Sequence, residues 1–172
     1  SQLIAQGSHP LWMRYNAISP QGDKIAFAYK GDIYVVDAEG GQARQITTNS
    51  SYDSNPIWSN DGKYIAFSTD RNANFDIYIV SADGGVAKRV TTNSTSEIPL
   101  AFSADDSMIY YRANIQRDAD NAHFPAGWTR ELYKVSVNGG RPQQVVATNV
   151  CSISFDNDNE SFLYYDEKGG ED

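Results

Sequence analysis

Runs of about four to six residues rich in Ile, Val, Tyr, Phe and Thr alternate along the chain with clusters of Asp, Asn, Gly and Ser, and no window sustains a helical period. In the stretch 50–93 the runs fall at 56–59, 64–69, 76–81 and 88–92. Asn60-Asp61-Gly62 separates the first two and Asp83-Gly84-Gly85 the last two. Short β-type runs joined by Asn/Asp/Gly turns predict an antiparallel meander of four strands.

The pattern recurs. NAISPQGDKIAFA, NPIWSNDGKYIAFS, LAFSADDSMIYY and SFDNDNESFLYY align with Ile18, Trp58, Phe102 and Phe155 at one position. The first three are followed by GDIYVVDAEGGQARQITTN, FDIYIVSADGGVAKRVTTN and RELYKVSVNGGRPQQVVATN. Four-stranded units with a period of about 40 to 45 residues, the third one longer, predict the blades of a β-propeller. A blade packs on neighbours through both faces, so its inner strands should lose the apolar/polar alternation, as Ile25-Ala26-Phe27-Ala28 and Ile65-Ala66-Phe67 do. Gly22 and Gly62 stand in the first hairpin turns of their units, where positive φ is cheap for Gly and tolerable for Asp or Asn; Asp106 and Asn159 replace them in the last two.

The predicted organisation is an all-β, partial propeller of about three and a half blades. Residues 1–14 form an N-terminal ring-closing strand and linker, 15–49 blade 1, 50–93 blade 2, 94–149 blade 3 with an insertion at 112–130, and 150–172 an incomplete blade 4. SQLIAQG at 1–7 is similar to the fourth-strand segments and should complete the final blade of a ring. An open arc exposes an apolar blade face, so the sequence reads as part of a longer propeller. The alternatives are a closed four-bladed ring and two copies covering each other's open faces.

A net charge of −8 argues against binding nucleic-acid backbones or anionic membrane surfaces, and no run approaches the ~20 apolar residues of a membrane helix. The single cysteine, Cys151, lies in the apolar run VCSISF and reads as buried filler.

The motifs Ile18-Ser19-Pro20-Gln21-Gly22-Asp23-Lys24-Ile25-Ala26-Phe27 and Trp58-Ser59-Asn60-Asp61-Gly62-Lys63-Tyr64-Ile65-Ala66-Phe67, followed by Asp32-Ile33-Tyr34 and Asp76-Ile77-Tyr78, resemble TolB-type propeller repeats. PLWMRYNAIS at 10–19, KGDIY at 30–34, TDRNANFDIY at 69–78 and Phe124-Pro125-Ala126-Gly127 resemble the N-terminal six-bladed propeller of bacterial tricorn-like serine peptidases. That resemblance implies a large homo-oligomeric, exported or periplasmic peptidase. Its catalytic residues lie elsewhere in the parent chain, and its propellers govern the passage of peptide substrates or products. A TolB-like periplasmic protein-binding propeller without enzymatic activity is the alternative.

The residues suggest no catalytic, cofactor or metal site within the chain. There is no Gly-x-Ser-x-Gly elbow, and His9 beside Ser8 and His123 in the insertion read as polar loop residues. Asp156-Asn157-Asp158-Asn159-Glu160 is spaced like a calcium loop but falls on a repeated hairpin turn, and Asp118-Ala119-Asp120-Asn121 reads as a solvated loop. The expected functional surface is the propeller face that carries the loops between second and third strands together with the inter-blade links. There the sequence places Arg71, Asn72, Asn74 and Phe75, and from the insertion Arg112, Phe124 and Trp128, as a partner-binding lid or a plug over the ring.

Overall fold

A computed structural model describes residues 13–116, 128–156 and 161–166. The segment 1–7, both histidines, Asp118 to Asn121, Phe124 and Asn159 lie outside them. Fourteen strands appear among the described residues, grouped into four antiparallel sheets. The first holds β1 (Arg14–Ile18), β2 (Lys24–Tyr29), β3 (Asp32–Asp37) and β4 (Arg44–Gln45). The second holds β5 (Asp53–Trp58), β6 (Tyr64–Thr69), β7 (Asp76–Ser81) and β8 (Lys88–Arg89). The third holds β9 (Glu97–Phe102), β10 (Met108–Gln116), β11 (Trp128–Ser136) and β12 (Gln143–Val146), and the fourth β13 (Val150–Phe155) and β14 (Phe162–Asp166). In each of the first three sheets neighbours in space are neighbours in sequence, the meander of a propeller blade.

Burial explains why β6 does not alternate: all of Ile65 to Thr69 is buried. Ile65 and Phe67 pack with Ala26, Ala28, Ile33 and Val35 of the first sheet, whereas Ala66 turns to Phe102, Ile109 and Tyr111 of the third. Each seam thus sets the small residues of one sheet against the large residues of the next. Tyr110 and Arg112 break this rule in β10. The Tyr110 ring meets Phe155 edge-on at 5.1 Å, and Arg112 reaches the carbonyl of Cys151 in the fourth sheet.

Polar bonds fix the seams. The Trp58 indole donates to the Ala17 carbonyl at 3.0 Å. Asp53 and Glu97, which open β5 and β9, donate their backbone N–H groups to Gly31 and Phe75 of the preceding sheet, at 2.7 and 2.8 Å. At the opposite end, Asp106 takes φ +57° in the hairpin position where Gly62 has φ +72°, and its carboxylate accepts from the backbone N–H groups of Asn60 and Asp61. The acid that substitutes for glycine therefore also latches the second sheet to the third.

The ends of several elements differ from the expected ones. The fourth strand of the second sheet stops at Arg89 instead of Thr92, because Thr91 Oγ1 accepts from the backbone N–H of Ile77 at 2.9 Å and ends the ladder with a side chain. Thr47 does the same to Ile33. In the third sheet, residues 112–116 and 128–130 continue the β10–β11 hairpin, with Arg112 opposite Leu132 and Gln116 opposite Trp128, so the ends of the insertion are ladder and not loop.

Trp58 and Ile18 hold one repeat position but are 8% and 69% exposed. Trp58→Ala is expected to cost about 3 to 5 kcal/mol and Ile18→Ala about 0.5 kcal/mol or less, read by urea unfolding of the 172-residue chain.

Candidate functional site

The loop 70–75 and the inter-blade links meet on one face, as the meander requires. Asp70 accepts from the Tyr52 backbone N–H at 2.7 Å, Asn74 Nδ2 donates to the carbonyls of Asn93 and Thr95 at 2.9 Å each, and Phe75 meets Tyr52 edge-on at 6.4 Å. Asn72 Nδ2 donates to the Tyr78 hydroxyl at 2.9 Å. Arg71, Asn72, Asn74 and Phe75 are thus brought together, with much of their bonding capacity directed at the links. Arg112 stands apart, half-buried against the fourth sheet. Burial, then the neighbouring Arg130 charge, lower its pKa. The Trp128 backbone pairs with Gln116 at the end of the long hairpin, and Phe124 falls among the residues not described.

Beneath this face lies a set of buried acids. In the second sheet Asp53 and Asp76 are both 0% exposed. Arg71 donates to Asp53 at 3.0 Å, and its guanidinium lies over the rings of Phe67 and Tyr78, 5.6 and 4.8 Å from their centroids. Arg89 donates to Asp76 at 2.7 Å. A buried carboxylate is tolerable only when paired or protonated, and here each has its own guanidinium. Burial still raises the pKa of Asp76, and burial followed by the Asp53 charge raises that of Asp32.

The third sheet repeats part of the constellation with other residues. Glu97, opposite Ala113, stands where Asp53 stands opposite Thr69, and Tyr111 and Tyr133 stand where Phe67 and Tyr78 stand. Glu97 is 0% exposed, and its Oε1 accepts from Asn93 Nδ2 at 2.6 Å. It forms no ion pair among the described residues, and both its Oε2 and the Tyr111 hydroxyl are buried without a hydrogen-bond partner. Burial pushes the Glu97 carboxyl up to about 7; the Thr91 and Asn93 hydrogen bonds oppose that rise. Burial, reinforced by the Glu97 charge, raises the pKa of Tyr111.

Two clefts open over these positions. The one between the first and second sheets has a volume of about 230 Å³ and is lined by Thr47, Thr48 and Asn49 from the first unit and by Arg71 and Val86 from the second. Its counterpart between the second and third sheets holds about 360 Å³ and is lined by Asn93, Ser94 and Thr95 facing Tyr111, Tyr133 and Arg141. The motif reading missed the buried acids. Their signal is nevertheless in the repeat, since an acid follows Thr-Thr-Asn at one spacing in Asn49 to Asp53 and Asn93 to Glu97. Among the described residues no group of His, Cys, Asp or Glu is arranged to hold a metal ion.

Arg71→Ala leaves Asp53 buried and unpaired, for an expected loss of about 3 to 5 kcal/mol; the Asp53→Asn/Arg71→Met double variant should recover most of it, as urea unfolding will show. For Glu97 the folded pKa lies above the unfolded value of 4.5, so its stabilising contribution is full below pH 4.5 and is lost as pH rises through about 7. Relative to Glu97→Gln, the wild-type chain should lose on the order of 3 kcal/mol across that window, measured as the difference between unfolding curves at each pH.

A family model described as the tricorn protease N-terminal β-propeller domain matches residues 10–170. Among solved structures, TolB from Acinetobacter baumannii superposes with a TM-score of 0.67 at 24% identity over 90% of this chain and 38% of that one. A TolB-type structure from Agrobacterium tumefaciens gives 0.65 at 22% identity over 80% and 50%. The tricorn protease gives 0.56 at 15% identity, over 72% of this chain and 13% of its own. The chain spans half or less of the length of each of these structures, and at such identities they speak for the fold alone. With the family model covering nearly its whole length, the chain belongs to the tricorn protease N-terminal β-propeller domain family.

Proposed function

We propose that the chain is the non-catalytic propeller portion of a tricorn-like serine peptidase, shaping the passage of peptide substrates or products and contributing subunit contacts in a homo-oligomer. The family match over residues 10–170 carries this reading. The face that gathers loop 70–75 with the inter-blade links supports it, because polar side chains and peptide groups there are held in place by the ladders beneath. An exported, periplasmic setting belongs to the same reading. Catalytic groups would come from other parts of the parent protein, and the propeller would act by position and by contact.

The test is a pair of activity measurements. The isolated 172-residue chain is expected to cleave no peptide, whereas the native polypeptide that carries it, purified from its source with an antibody against the chain, should hydrolyse peptides and take up a fluorophosphonate label on serine. A native polypeptide that binds other proteins but takes up no label would replace the peptidase reading with a TolB-like binding module.

A further inference from the structure

The second and third sheets each bury a row of residues across their first three strands. In the second the row is Asp53, Thr69 and Asp76; in the third it is Glu97, Ala113 and Glu131. Both acids of the second row have a guanidinium of their own, Arg71 for Asp53 and Arg89 for Asp76. Glu97 enters its seam as Asp53 does, by donating its backbone N–H to the preceding sheet, yet it forms no ion pair among the described residues. The groups that face it offer little relief. Asp76 of β7 is a like charge, and Arg89 of β8 attracts the carboxylate but already donates to Asp76 and to the Thr91 carbonyl. Tyr111 of β10 feels the Glu97 charge, and its hydroxyl is buried without a hydrogen-bond partner. Glu131 of β11 is a further acid in the row, bonded to Tyr133 and Gln144. Glu97 itself accepts from Asn93 on Oε1, while Oε2 is buried without a hydrogen-bond partner.

We propose that Glu97 is a proton-operated latch for the inter-blade link 93–97: the protonated carboxyl lets the link lie in the seam between the second and third sheets, and loss of the proton frees it while the first-to-second seam stays closed. The link is held by few bonds. Glu97 donates its N–H to the Phe75 carbonyl and accepts the Ser68 hydroxyl on its own carbonyl, at 2.8 Å each. Asn93 Nδ2 bonds the Glu97 side chain, and Asn74 Nδ2 holds the carbonyls of Asn93 and Thr95. A carboxylate that ionises in this dry setting without a cation outweighs such bonds, and it reaches water most cheaply by taking the short link with it. Asn93, Ser94 and Thr95 already line the cleft between the two sheets, so their release enlarges it. Asp53 is the built-in contrast. Its carboxylate is paired with Arg71, and the link that ends there keeps its hold on either side of neutrality. Burial holds the Glu97 carboxyl up at about 7, which places the release near neutral pH.

Hydrogen–deuterium exchange of the wild-type chain at about pH 6 and about pH 8, resolved at single amides and corrected for intrinsic rates, tests the latch. The Glu97 amide, bonded to Phe75, is expected to lose about tenfold in protection across that interval, and the Asp53 amide, bonded to Gly31, less than about twofold. In Glu97→Gln the tenfold loss should vanish, and carbon NMR of labelled glutamate carboxyls should show one of them titrating at about 7 in the wild-type chain. Unchanged protection at Glu97, or an equal loss at both amides, would overturn the proposal, since the first means no release and the second a transition of the whole chain. A loss in Glu97→Gln as large as in wild type would overturn it too. Should that variant fail to fold, a wild-type spectrum in which every glutamate titrates below about pH 5.5 has the same force.

Discussion

The constraint on which the rest of the structure depends is that each inner sheet must be buried on both faces at once. A one-sided sheet can spend every second residue on solvent; β6 cannot, and its Ile65-Ala66-Phe67 core answers by alternating size instead of polarity. Large side chains point back toward the preceding sheet and alanine points forward to the next, so that the first two seams interlock. Removing buried volume from such a seam loses contacts on both sheets, which is why core positions tolerate little change.

Two-sided burial also dictates the chemistry of the face above. The inter-blade links cross from the fourth strand of one sheet to the first strand of the next. The residue that ends each crossing, Asp53 or Glu97, is pulled into the seam by its backbone bond to Gly31 or Phe75. A carboxylate carried along with it is out of water and must be neutralised. The second sheet does this by pairing Asp53 with Arg71; in the third, Glu97 forms no ion pair among the described residues and burial raises its pKa instead.

Strand identity and hairpin chemistry were legible because they are local. The runs 64–69 and 76–81 coincide with β6 and β7, and Asp106 adopts the positive φ its place in the turn demands. The ends of strands were less so. Thr91 terminates β8 by presenting a hydroxyl to Ile77, a contact fourteen residues apart that no local propensity contains. The first strand of the second sheet begins at Asp53, ahead of the expected position, by passing through a register shift between Ser54 and Ile57 where Asn55 takes φ +51°. Of the candidate site, the grouping of Arg71, Asn72, Asn74 and Phe75 followed from topology. The pairing of Arg71 with Asp53 did not, because it joins the first strand to a loop beyond the second and becomes visible only in three dimensions.

Tyr110 and Arg112 carry a consequence of their own. They point forward from β10 where the second sheet has Ala66 and Ser68, so the seam they form with the fourth sheet has a different shape from the two before it. Repeats that look interchangeable when aligned are therefore keyed to particular neighbours. Exchanging or duplicating units along the gene would bring together faces that do not mesh, and the linear order of the blades is itself inherited information.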